Sequence, residues 1–316
     1  MLGNAPNWRR KPNRKRPLVM PNPDMPMPAG PTSGAFYSQR LRLHYVDWGN
    51  GTAPPLILVH GGRDHCRNWD FVAERLAHRY HIIAPDLRGH GDSQWAQSGA
   101  YNAASFVYDL AQLIDSLKLA PVTIIAHSLG GMIALRYAGL FPDRVSRIVA
   151  IEGLGFSPKS IAERNAQPFH ARLATWMGEQ RALAGRQPKR YATLDEAVAR
   201  MRAENKHLSE RQALHLTRFG VNQNEDGTYS WKFDNYLRSW PPSDMTQAET
   251  EELWGRIICP TLLVYGGDSW ASNPETDGRV HHFKSARVVS IPGASHWVHH
   301  DQLNAFMAVT EAFLGA

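Results

Sequence analysis

The chain has 316 residues, 43% of them hydrophobic, which suits one large core with an insertion better than two independent domains. Two cysteines exclude a disulfide framework and fit a reducing, cytoplasmic compartment. The formal charge of +6 does not mark a nucleic-acid binder: Arg9, Arg10, Lys11, Arg14, Lys15 and Arg16 account for it, leaving the remainder near neutral.

That basic cluster opens a tail expected over residues 1 to 34. Pro17 to Pro28 is too rich in proline for regular secondary structure, and Leu18, Val19 and the methionines suit it to lie along the domain surface. No apolar stretch follows the cluster as a secretory signal would require, and no run approaches the roughly 20 residues that span a membrane. Phe36 to Asp47 reads as opening antiparallel strands, and Pro55 to Val59 as a short buried strand that ends at His60-Gly61-Gly62. Trp69, Val72, Ala73 and Leu76 give a helical face, and His81 to Pro85 the next strand. Phe106, Leu110, Leu113, Ile114 and Leu117 repeat at helical spacing before the strand that starts at Val122. Val145 to Ile151 is another strand. From about Gly153 to Trp254 strand-like runs vanish and charged helical sequence takes over, with Ser209 and Gln212 spaced as a capping box. Strands return at Thr261 to Tyr265 and Ala286 to Ile291. Such alternation predicts an α/β fold with a mostly parallel central sheet and helices on both faces, with ligands bound at the carboxyl ends of the strands.

Chemistry concentrates at those ends. Ala126-His-Ser128-Leu-Gly130 joins a buried strand to a helix through a small-x-Ser-x-Gly turn, which presents a hydroxyl beside the first amides of the helix. A serine needs a base and donors for the charge it creates. The amides of Gly62 and Leu129 are the expected oxyanion donors. Of the chain's 15 histidines, His296 is the one that follows a late strand, in the loop Pro292-Gly-Ala-Ser-His296. Most lone histidines are structural, so it is position that singles this one out.

Four motifs in this order, His60-Gly61-Gly62, Ala84-Pro-Asp-Leu-Arg-Gly-His-Gly-Asp-Ser93, Ala126-His-Ser-Leu-Gly130 and Gly293-Ala-Ser-His296, resemble the α/β-hydrolase family over roughly residues 35 to 316. The resemblance implies that Ser128 is the nucleophile, His296 the general base, and a carboxylate between them in sequence the third member. It also implies domains at 1–34 (tail), 35–152 with 255–316 (hydrolase core) and 153–254 (helical cap). Family members most often carry the acid at the fourth residue of a Gly-x-x-Asp turn, where this chain has Ser269, with Asp268 one residue early. Others carry it directly after the preceding strand, where Glu152 stands. Glu152 is favoured over Asp268, because one step along a strand end reverses a side chain's direction and glutamate has the longer reach.

Within the cap, Tyr229, Trp231, Phe233, Tyr236 and Trp240 serve either as its small core or as pocket walls. Arg63, Asp64, His65 and Trp69 follow the oxyanion loop and suit packing at least as well as substrate contact. Asp86 and Asp92 lie in what the resemblance makes a structural turn. His296 with His299 or His300 has metal-site spacing but lacks a third ligand, so neither a metal nor another cofactor is expected. The sequence thus leads to a serine hydrolase of small-molecule carboxylic esters. Lactone, thioester, amide or carbon–carbon bond hydrolysis and acyl transfer are alternatives on the same triad, and a non-catalytic ligand receptor is the alternative outside enzymes. Oligomeric state is left open.

Overall fold

The computed structural model describes residues 30–99, 101–242 and 244–315. The expected run of Leu18, Val19 and the neighbouring methionines along the surface lies outside them. Among the described residues ten strands are formed: β1 (Thr32–Ser38), β2 (Leu41–Asp47), β3 (Pro55–Val59), β4 (His81–Pro85), β5 (Val122–His127), β6 (Val145–Ile151), β7 (Val221–Gln223), β8 (Tyr229–Trp231), β9 (Thr261–Gly266) and β10 (Ala286–Ile291). The first strand therefore begins inside the stretch expected to be tail. Eight strands build one sheet in the order β1-β2-β4-β3-β5-β6-β9-β10. Pairing is parallel from β4 to β10, and β1 and β2 extend the β4 edge antiparallel.

The central strands are apolar on both faces, and their two-residue period divides each between two layers. On β3, Ile57 and Val59 join the core with helices α2 (Ala103–Ser116) and α3 (Leu129–Leu140), through Phe106, Leu110, Ile133 and Tyr137. Leu56 and Leu58 join the opposite layer with α1 (Asp70–Leu76), through Trp69, Val72 and Leu76. Strand β6 repeats the division, with Ile148 and Ala150 on one side and Val149 and Ile151 on the other. These residues are fully buried, and each large aliphatic one contributes roughly 1.5–3 kcal/mol of transfer free energy.

Between β6 and β9 the chain forms α4 (Pro158–Ala166), α5 (Phe169–Leu183), α6 (Leu194–Glu204), α7 (Glu210–Gly220), the β7–β8 hairpin and α8 (Gln247–Arg256). The capping box of Ser209 and Gln212 forms at the start of α7. Two features differ from the sequence expectation. The insertion is not wholly helical, since β7 and β8 pair across a turn in which Gly227 adopts φ 81°. The change expected at residue 254 also falls inside α8, whose Trp254 packs in the sheet core with the residues of α3. After β9 come α9 (Pro274–Asp277), then α10 (Val298–Asp301) and α11 (Leu303–Gly315), which covers the α1 face with Phe306 and Met307. No helix among the described residues is long and apolar enough to cross a membrane.

Candidate active site

Strand β5 runs into α3 through a single residue. Ser128 has φ 49° and ψ −115°, a conformation that a side chain with Cβ adopts only under strain. Two contacts hold it there. Its amide donates to the carbonyl of Ile151 on β6 at 2.8 Å, and its carbonyl accepts from Met132 at 3.0 Å. The turn is possible because α3 closes directly onto β3: a Cβ at Gly130 would lie 2.4 Å from the Val59 carbonyl oxygen and 2.5 Å from that of His60. Glycine is therefore required two residues beyond the serine, as the motif proposed.

Glu152 leaves β6 with φ 48°, its side chain fully buried. Its amide donates to the Val264 carbonyl at 2.9 Å, which ties the turn to β9. The carboxylate collects three hydrogen bonds. Oε1 accepts from the Gly266 amide at 2.9 Å, and Oε2 accepts from the Ser269 hydroxyl at 2.8 Å and from His296 Nδ1. Ser269, at the turn position where the family usually carries the acid, thus anchors the glutamate instead. Asp268 is exposed, its amide donates to the Ala294 carbonyl at 2.9 Å, and among the described residues its carboxylate makes no bond to His296. Of the two candidate acids, Glu152 is the one that reaches the imidazole.

With Nδ1 donating to Glu152, His296 keeps Nε2 as an acceptor, a tautomer assigned from its partners. Ser128 and His296 border the same cavity, of about 1730 Å³. No hydrogen bond joins them; such bonds in hydrolases are commonly long before substrate binds and tighten on binding. Gly62 and Leu129 border it too, close enough that a Cβ on Gly62 would stand 3.9 Å from Leu129 Cδ2. Leu129 opens α3, so its amide has no acceptor within the helix, and the helix dipole favours negative charge there. The His60 ring steadies this loop: Nδ1 donates to the Gly61 carbonyl at 2.6 Å and Nε2 accepts from the Leu87 amide at 3.0 Å. Trp231, Phe233 and Trp240 also line the cavity, and Tyr229 together with Trp231 packs into the insertion's own core.

Residues that sequence reasoning passed over support the imidazole. The His127 Nε2–H donates to the His296 carbonyl at 2.9 Å, and the two rings lie 4.7 Å apart. His127 occupied an unassigned position of the serine motif, and nothing in its spacing marked it. Trp270, 77% exposed, also packs against His296, with ring centroids 4.8 Å apart. Behind His127 come His299 at 4.9 Å and then His300, 4.4 Å from His299. Burial holds His127 and His299 well below the usual imidazole range and His300 down to about 3, so all three are neutral packing groups near pH 7. His299 Nε2 is engaged by Asn68 Oδ1 at 2.7 Å and its ring stacks on Trp69, so the metal-like spacing of these histidines is absorbed by packing.

The remaining candidates are structural neighbours. Asp64 is buried and pushed up to about 8, chiefly by desolvation, and His65 Nε2 donates to the Leu216 carbonyl at 2.9 Å. Arg63 lines the cavity. Asp86 accepts from the amides of Cys66 (2.6 Å) and Asp92 (2.9 Å) and from His44 Nδ1 (2.7 Å). His44, Cys66 and Asp86 bring three ligand-type atoms within 4.8 Å, but these bonds already occupy the aspartate and the imidazole nitrogen. Cys66 and Cys259 are free and buried.

A mostly parallel sheet of this order carries a strained serine, an imidazole and a carboxylate at its strand ends. A sequence profile described as alpha/beta hydrolase fold matches residues 54–303, and the chain belongs to that family. It is similar to the esterase Rv0045c of Mycobacterium tuberculosis, with 26% identity over 90% of each chain. It is also similar to the 2-hydroxy-6-oxo-2,4-heptadienoate hydrolase of Pseudomonas putida, 27% identical over 87% of this chain and 92% of that one. The hypothetical protein PA1622 of Pseudomonas aeruginosa PAO1 superposes with a TM-score of 0.77 at 22% identity, covering 90% of this chain and 99% of that one, a likeness of fold.

Proposed function

We propose that the chain is a cofactor-independent serine hydrolase of small-molecule carboxylic esters, working in the cytoplasm. Ser128 attacks the acyl carbon while His296 Nε2 takes its proton, and Glu152 orients the imidazole and stabilises its cationic form. The amides of Gly62 and Leu129 receive the oxyanion. The imidazolium then protonates the leaving alcohol, and water, activated by the same histidine, releases the acid from the acyl-enzyme. Residues of the insertion between about 153 and 246 act as the cap and exclude water from the cavity. What carries this reading is the strained Ser128 backbone on the same cavity as an imidazole whose Nδ1 is committed to a buried carboxylate. The esterase relative and the two free cysteines agree with it.

The Pseudomonas relative, named for a keto acid rather than an ester, supports a second reading in which the same triad cleaves another acyl bond. Rapid mixing with p-nitrophenyl butyrate tests the first. The expected result is a burst of p-nitrophenol stoichiometric with enzyme, followed by steady turnover, with kcat falling by about 10⁴-fold or more in Ser128→Ala. Wild-type turnover surviving in that variant overturns the mechanism. Saturable ligand binding with no turnover favours a receptor.

A further inference from the structure

Ser128, Met132 and Arg136 succeed one another at four-residue intervals and all line the cavity. At 1.5 Å of rise per residue, Arg136 stands about 12 Å along α3 from the serine. Only 8% of Arg136 is exposed, and its Nε is buried with no hydrogen-bond partner. Asp244 on the cavity wall is the carboxylate whose field reaches the guanidinium, but no ion pair joins the two among the described residues. The Asp244 oxygens instead accept from the amides of Ala103 (3.2 Å) and Met245 (2.8 Å). Two further guanidiniums line the same cavity: Arg164 donates to the Pro241 carbonyl and Arg172 to that of Pro242, each at 3.2 Å. The Arg172 Nε is also buried without a partner.

A guanidinium taken out of water without a carboxylate costs free energy, and burial does lower the pKa of Arg136. An arginine serving packing alone would have its donors bonded to protein, as Arg88 does to Asp109 at 2.6 Å. The planar fork of donors on Arg136 matches the two oxygens of a carboxylate or phosphate. Met132, Leu154 and Ile161 provide apolar wall for a spacer, and across the whole cavity lining cations outnumber carboxylates roughly two to one, a bias that draws in anions. We propose that Arg136 binds a carboxylate or phosphate at the end of the substrate remote from the scissile bond, and so selects amphiphilic anionic esters. This assignment rests on the ester-hydrolase reading for its reaction, though not for its binding site.

The test compares p-nitrophenyl half-esters of diacids, from succinate to sebacate, with methyl-terminated acyl esters of matched length. Wild-type enzyme is expected to prefer the longer anionic esters by about tenfold or more in kcat/KM, mainly through KM. Arg136→Gln brings that ratio close to one, Arg136→Lys keeps part of it, and Arg40→Gln, which removes an exposed charge in the β1–β2 turn outside the cavity lining, leaves it as in wild type. A wild-type ratio near one overturns the proposal whether or not the variants fold, as does a ratio unchanged in folded Arg136→Gln. Calorimetry with suberate and with hexyl phosphate supplies the second arm and distinguishes the two anions. Binding that requires Arg136, without ester turnover, upholds the anion site and sinks the esterase reading; turnover of neutral esters without anion binding does the reverse.

Discussion

At the scale of single residues, the decisive feature is the place of Glu152. Asp268, one residue before the expected turn position, lies in the turn after β9 and borders the cavity, but among the described residues its carboxylate makes no bond to the imidazole. It is exposed, while the Ser269 hydroxyl bonds to Glu152. The sequence offered both acids; hydrogen-bond geometry separates them. Glu152→Gln keeps the shape but removes the charge opposite the imidazolium, and steady-state assays are expected to record a loss of about 10³–10⁴ in kcat. Asp268→Asn should stay within about threefold. Ser269→Ala removes one bond to the carboxylate, worth about 1 kcal/mol or about fivefold in rate. An inverted ranking would assign the role to the aspartate. His127 and Trp270 were illegible in the sequence, since their contacts with His296 arise where the end of β5 meets the loops after β9 and β10.

At the scale of elements, the serine turn works because α3 is pressed onto its neighbours. Gly130 meets the end of β3, and a Cβ at Gly131 would lie 2.5 Å from Gly153 Cα. Gly130→Ala is expected to destabilise the fold by about 1–3 kcal/mol or to force the serine turn open, which urea melts read alongside ester turnover. A variant with wild-type stability and rate would show that the close approach is dispensable. The central strands β3, β4, β5, β6 and β9 were legible because each is a largely buried apolar run bounded by turn residues. The β7–β8 hairpin was not: its strands are three residues long, too short for alternation to register, although Asp226-Gly227 is a turn signal. The bound expected at residue 254 falls within α8, which is charged on its outer side yet buries Leu253 and Trp254.

At the scale of the whole molecule, the buried imidazoles make stability depend on pH. Burial lowers His90 and His300 from 6.5 to about 3 in the folded protein. Between those values the unfolded chain binds the protons, so stability is full above about pH 6.5 and falls as pH drops toward 3, by up to a few kcal/mol per group. Asp64 acts oppositely: raised from 3.8 to about 8, it contributes stability below the lower value that is lost as pH rises through the upper one. Thermal melts are expected to decline steadily from pH 6.5 to pH 4, and to decline less steeply in His300→Gln; equal slopes would remove the imidazoles from the explanation. Composition revealed the number of histidines and nothing of their burial, which only packing decides. The most direct measurement on the whole protein is labelling with a fluorophosphonate followed by peptide mass mapping. A single phosphonyl adduct on Ser128, formed far more slowly in Glu152→Gln, is the predicted result. An adduct confined to any other residue, or ester turnover in a protein whose Ser128 never reacts, would contradict it.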